Sequence, residues 1–343
     1  MSAGACDDWI SNRDSGLSAM MRVTREHVRI APDNGTAQAR LATFLVSALD
    51  SAAPGAQDAM LAEAKTAYNR AQAIHPNGLA TAYALAYVSM AENKPLAEWL
   101  PEMARLMQRQ PSPDEAFHFA YASRSTAYPI GAVGRSQEAL RYLKATIEAE
   151  PSGMMGPMAY GALLAAVGDG RGETQLATTL KRKPNPQAWD ISIASALFLS
   201  AGDANQLLAS PAPGVPRATA ACWRGIQAGL KQQSKAARLA SAKQARTCLT
   251  GSLLSSSIQA MAVLGDLDAA FALAETMDQR YLIIMTDFSP LFFPSTIAMR
   301  TDPRFLPLAE KLGYVDYWKQ TKTQPDVCAA AEKDIPLCVA LRG

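Results

Sequence analysis

The sequence predicts an all-α chain, a right-handed solenoid of stacked helix pairs closed by an irregular C-terminal cap. Three observations carry that expectation. The apolar residues, 49% of 343, are dominated by alanine, leucine and methionine, whose side chains lose little rotamer freedom in a helix. Long β segments are absent from the pattern. Helical stretches stop repeatedly at a proline after a short polar turn, and proline cannot continue the hydrogen-bond ladder, so the chain must turn there.

The stops recur at repeat length. MMRVTREHVRIAPDN reaches Pro32, EAKTAYNRAQAIHPNG Pro76, LPEMARLMQRQPSPD Pro111 and SQEALRYLKATIEAEPSG Pro151, at intervals of 44, 35 and 40 residues. These are helix-pair repeat lengths. A fifth segment, ETQLATTLKRKPNP, reaches Pro184 after another 33 residues, and looser turns follow at Gly202-Asp203 and Gly265-Asp266. Gly134, Ala139, Ala145 and Pro151 combine a turn glycine, alanines for a close helix crossing and a terminating proline; Ala64, Ala71 and Pro76 echo them. This pattern resembles the second helix of a tetratricopeptide repeat. Partner helices are expected at LATAYALAYVSMAEN from Leu79 and DEAFHFAYASRSTAY from Asp114, an N-cap aspartate. Each pair leaves an apolar flank that only its neighbour can cover, so stacking is what should stabilise the array. The expected layout is tetratricopeptide-like helix pairs over 1–200, irregular basic pairs over 203–280, and a cap and tail over 281–343, in one continuous solenoid.

The end of the chain carries the most specific wording, AMRTDPRFLPLAEKLGYVDYWKQTKTQPDVC, with Asp302, Pro303, Arg304, Phe305, Gly313, Asp316, Tyr317, Trp318, Pro325, Asp326 and Cys328. It is similar to the C-terminal closing segment of bacterial tetratricopeptide-repeat regulators. Those regulators join a cytoplasmic winged-helix DNA-binding domain, one membrane helix and a periplasmic repeat region; related repeat regions also follow cyclase-type modules. The resemblance implies an excised sensory region or a standalone relative, and no DNA-binding residue carries over. Read from the residues alone, Phe305, Leu308, Leu312, Tyr317 and Trp318 share one helical flank and would cover the open end of the stack.

Charge narrows the partners. The net charge is only +2, too near balance for a chain that tracks a phosphate backbone. Between Asp203 and Asp266, however, no acidic residue occurs, while Arg217, Arg224, Lys231, Lys235, Arg238, Lys243 and Arg246 all do. This basic section reads either as a solvated helix surface or as a docking face for an acidic partner or an anionic polymer. No stretch approaches the roughly 18 apolar residues that a membrane span needs. Met1 to Arg22 lacks the basic start and apolar core of an export signal, so the chain itself reads as soluble.

Five cysteines form no CxxC pair, and with His27, His75 and His118 they match no zinc spacing, so no metal is expected. Cys222 falls near the start of one expected helix and Cys248 near the end of the next, positions that face each other in an antiparallel hairpin. Cys328 and Cys338 lie ten apart in a tail that would fray without a cross-link, which would contribute about 2–3 kcal/mol. Two such bridges favour an oxidising compartment, and with the resemblance a periplasmic one. Reduced buried thiols are the other reading, with a cytoplasmic location, and Cys6 is left over in both.

Searches for chemistry return little. HExxH, the phosphate-binding GxxxxGK and GxSxG are absent, and GDGRGE, with Gly168, Gly170 and Gly172, follows no strand and falls where a repeat turn is due. Neither catalytic residues nor cofactors are expected. On the first helices of the pairs, Tyr83, Tyr87, Phe117, Tyr121, Arg124, Tyr160 and Trp189 form stripes at helical spacing, read either as core or as a groove for a peptide or sugar polymer. The functional expectation is a protein- or peptide-binding repeat domain, sensory and periplasmic. The alternatives are a cytoplasmic assembly scaffold and a binder of a small molecule or cell-wall fragment.

Overall fold

A computed structural model describes residues 13–49, 52–53, 55–108, 116–151, 155–182, 217–249, 254–277, 290–329 and 334–342. The described residues form 17 α-helices and no strand, the all-α chain that the alanine-rich composition predicts. Two compact units divide it, Met1–Thr126 with Ala145–Gly153 and Ala127–Lys144 with Met154–Gly343.

The first unit contains α1 (Arg13–Ile30), α2 (Gly35–Ser47), α3 (Gln57–Ile74), α4 (Leu79–Ala91) and α5 (Leu96–Leu106). α1 and α3 end two residues before Pro32 and Pro76, because the residue preceding a proline is pushed out of the helical region. α2 packs on both α3 and α4, and α4 packs on α5. Alanines make these approaches close: Ala39 and Ala42 on α2, Ala64 and Ala71 on α3, and Ala84 and Ala86 on α4 are fully buried. Trp99, Leu100 and Met103 of α5 fill the remaining space with large side chains.

Two helices pass through both units, α6 (Ala116–Ala132) and α7 (Ser136–Ala149). Pro129 lies inside α6 and removes the N–H that would bond the Ser125 carbonyl. The division between the units falls within that turn.

The second unit continues with α8 (Met155–Ala166), α9 (Arg171–Arg182), α10 (Arg217–Leu230), α11 (Lys235–Cys248), α12 (Leu254–Leu264) and α13 (Leu267–Ala274). α8 packs on α9, α10 on α11 and α12, and α12 on α13. Short 3-10 turns at Pro290–Phe292 and Pro294–Thr296 lie against α12. They lead into α14 (Ile297–Arg300), α15 (Phe305–Lys311), α16 (Tyr314–Thr321), a 3-10 turn at Asp326–Ala329 and α17 (Pro336–Arg342).

Four turns that join one helix directly to the next share one geometry, and Lys322 at φ 54° ends α16 the same way, with Thr323 N donating to the Trp318 carbonyl. Asn93, Gly134, Gly168 and Gly265 have positive φ of 52°, 79°, 77° and 87°. In each, the next N–H reaches back to a carbonyl of the helix just ended: Lys94 to Ser89, Arg135 to Ile130, Asp169 to Leu164 and Asp266 to Met261. This left-handed closure satisfies carbonyls that a helix end would otherwise strand. It recurs between α4 and α5, α6 and α7, α8 and α9, and α12 and α13.

The C-terminal segment departs from the sequence reading. Phe305, Leu308, Leu312, Tyr317 and Trp318 do not share one helical flank, because Gly313 at φ 75° separates α15 from α16. Nor does the segment serve only the last helix pair. Trp318 Nε1 donates to the Val133 carbonyl at 3.0 Å, and Asp326 N donates to the Gly134 carbonyl at 2.8 Å. The tail therefore seats on the α6–α7 turn within its own unit. On its other side, Arg304 donates to Asp268 of α13 at 2.7 Å and lies 4.4 Å from the Phe271 ring centroid. The TDPRF wording is thus a latch: Asp302 accepts from the Arg304 N–H and guanidinium, which aims Arg304 at α13. Arg300, 2% exposed, donates to the carbonyls of Leu291 and Phe293.

Candidate functional site

The sequence-predicted aromatic stripe is only partly brought together. α4 carries Tyr83 and Tyr87 one turn apart, with ring centroids 4.6 Å apart and the Tyr83 hydroxyl donating to Tyr87 at 2.8 Å. Tyr83 is half-buried and Tyr87 8% exposed, so Tyr87 anchors the pair and Tyr83 presents it. Arg124 on α6 and Tyr160 on α8 are also half-buried. The side chains of Phe117 and Tyr121, and Trp189 altogether, lie outside the described residues. Sequence reasoning passed over Thr36, Arg40 and Phe44 on α2, which form a half-buried stripe at fourfold spacing. Burial pushes the Arg40 guanidinium below its ordinary pKa. α2 and α4 are packing partners, so two arms of the first unit each offer an aromatic side chain in partial contact with solvent.

The basic section folds as the α10–α11 hairpin. Ser234 caps α11 by accepting from the Ala237 N–H at 3.2 Å, and Cys222 and Cys248 are at bonding distance with Cα atoms 5.7 Å apart. The helices touch most closely at Gly229, where an added Cβ would lie 2.5 Å from that of Ser241. Beside the disulfide lies an open cavity of about 190 Å³, lined by Ala218, Ala221, Gly225, Ile226 and Ala245 and by the polar Ser241 and Gln244. The cations differ in state. Arg246 is paired with Asp266 of the α12–α13 turn, and Arg238 donates to the Gln232 carbonyl at 3.3 Å. Lys231, Lys235 and Lys243 are exposed, and among the described residues no carboxylate pairs with them. Arg224 is exposed as well, while the Arg217 side chain lies outside the described residues.

The tail holds a second staple, Cys328 to Cys338, with Cα atoms 5.3 Å apart. Cys6 lies outside the described residues. Around the staple, Asp326 accepts from the Gln137 N–H at the start of α7 at 2.8 Å. Burial pushes its carboxyl up, opposed by hydrogen bonds from Gln137 and Ser136 and by the charge of Arg135. Arg135 donates to the Tyr317 hydroxyl at 2.8 Å and pairs with Glu138, and burial raises the Tyr317 phenol. These groups bind one another, which makes the constellation a structural joint rather than a place for a substrate. Among the described residues no group of three or more His, Cys, Asp or Glu side chains is placed to hold a metal ion, and no helix is long and apolar enough to cross a membrane. Comparison of the chain with protein-family models, curated proteins and solved structures gives no match.

Proposed function

We propose that the chain is a non-catalytic repeat domain, a solenoid of tetratricopeptide-like helix pairs, that binds a protein or peptide in an oxidising, periplasmic compartment. The observation that carries this reading is the recurrent left-handed closure at Asn93, Gly134, Gly168 and Gly265, which joins four helix pairs in one way. Such pairs bury one flank against a neighbour and leave another available to a partner. The half-buried Tyr83 on α4 and Phe44 on α2 are side chains of the kind that anchor peptides, being large, rigid and partly wet. Two cysteine pairs at bonding distance favour a compartment where thiols oxidise. The similarity of the TDPRF segment to the closing segment of membrane-anchored winged-helix regulators supports a sensory role, with partner occupancy as the signal.

Selection of a random displayed peptide library on the oxidised chain tests the binding reading. Enriched peptides should lose about tenfold or more in affinity for Tyr83→Ala, while the Tm of the variant stays close to that of the parent. Failure to enrich any peptide, together with thermal stabilisation by muropeptides or oligosaccharides, would replace the peptide by a cell-wall ligand.

A further inference from the structure

We propose that the α10–α11 cleft is a second docking surface, separate from the Tyr83 face, and that its occupant is an acidic peptide segment of a partner protein anchored by one aliphatic side chain. The cleft is shaped by two pins, the Gly229–Ser241 crossing and the Cys222–Cys248 bridge. Between them Gly225 withholds a side chain, and a Cβ built there would meet nothing within 4 Å. Ala218, Ala221, Gly225, Ile226 and Ala245 offer apolar contact, and of the two polar side chains in the lining Ser241 already donates to the Ala237 carbonyl at 3.2 Å and Gln244 is exposed to water, so an aliphatic group enters without stranding polar atoms.

Charge selects the flanks of the occupant. From residue 204 to residue 265 the chain has no acidic side chain, and Lys231, Lys235 and Lys243 stand exposed without a carboxylate among the described residues. A segment rich in Asp or Glu meets attraction along the hairpin and no like charge, whereas a basic segment is repelled. Nucleic acid suits the surface less well. The cleft lining carries no aromatic platform for bases, Arg246 is committed to Asp266, Arg238 donates to the Gln232 carbonyl, and three of the exposed cations, Lys231, Lys235 and Lys243, are point charges rather than guanidinium forks.

The test uses the oxidised full chain and three fluorescein-labelled probes: a peptide of leucine and glutamate at helical spacing, its glutamate-only counterpart, and a single-stranded oligonucleotide. Gly225→Leu fills the cleft with a better helix former, so its Tm should be equal to or above that of the parent. The Leu/Glu peptide should bind, weaken by about tenfold or more with Gly225→Leu, weaken again with Lys231→Glu plus Lys243→Glu, and be indifferent to Tyr83→Ala. The glutamate-only peptide should bind more weakly than the Leu/Glu peptide. The proposal is overturned if the Leu/Glu peptide fails to bind, if Gly225→Leu leaves its affinity unchanged, or if the oligonucleotide binds more tightly than the peptide. Because the readout turns on Gly225 and not on Tyr83, it fails or stands apart from the binding face of the first unit.

Discussion

Replacing Gly134 with alanine inserts one methyl group where the tail rests on the α6–α7 turn, and the structure sets the size of the response. An alanine at φ 79° carries the left-handed penalty of about 1–2 kcal/mol. Its Cβ would also lie 2.6 Å from Pro325 Cβ and 2.8 and 2.9 Å from two ring carbons of Phe292, so the tail must move. Overpacking of this kind costs about 1–3 kcal/mol, and the displacement strains the bonds from Trp318 Nε1 to Val133 and from Asp326 N to Gly134. The total is about 2–5 kcal/mol. Gly168→Ala is the internal control, since its φ is 77° but a Cβ there meets nothing within 4 Å, leaving only about 1–2 kcal/mol of backbone cost. Guanidinium unfolding followed by tryptophan fluorescence compares the two. Equal destabilisation would show that the tail does not press on the turn, and the docking described here would be wrong.

The remaining predictions concern the same joint. Asp326 has a folded pKa raised by burial, so the folded state binds its proton more readily than the unfolded chain. Its penalty is full above the raised folded value, shrinks as pH falls through it, and is gone below the ordinary aspartate value. Asp326→Asn keeps an acceptor for Gln137, so in thermal melts across pH it should be the more stable protein at neutral pH, with the advantage vanishing on acidification. An advantage that grows with acid would contradict the assignment. Cys338→Ser opens the loop to Cys328, with a sequence separation of 10, and should cost about 2–3 kcal/mol by chain entropy. Hydrogen exchange should then rise first in Asp326–Ala329 and α17; an unchanged exchange pattern would count against the staple.

Much of this architecture is legible locally. Proline placement gives the ends of α1 and α3, since the restriction acts on the adjoining residue. Cys222 and Cys248 are legible as a pair because an antiparallel hairpin brings the start of one helix to the end of the next, and Cys328 with Cys338 because a tail poor in apolar residues needs a staple. Gly134 announces its turn, and Asn93 and Gly168 close theirs in the same way, although Asn93 carries no glycine to mark it. The reading fails where partners are far apart in the chain. Nothing near Trp318 or Tyr317 states that their partners are Val133 and Arg135, more than 180 residues earlier. Gly313 was a visible warning that one amphipathic flank could not run from Phe305 to Trp318, since glycine so often ends a helix. On the α10–α11 hairpin, the sequence counts seven cations, but it takes the fold to pair Arg246 with Asp266 and to leave Lys231, Lys235 and Lys243 facing solvent. The cleft over Gly225 has no sequence signature, because it arises from the crossing at Gly229 and the bridge at Cys222.

The functional reading turns on where the thiols of this protein are oxidised. Mass-spectrometric mapping of protein alkylated on extraction without reductant, from the cells that make it, tests that directly. The account predicts two cross-linked peptide pairs, Cys222 with Cys248 and Cys328 with Cys338, and alkylation of Cys6 alone. Alkylation of all five cysteines in folded protein would contradict it and return the chain to a reducing compartment.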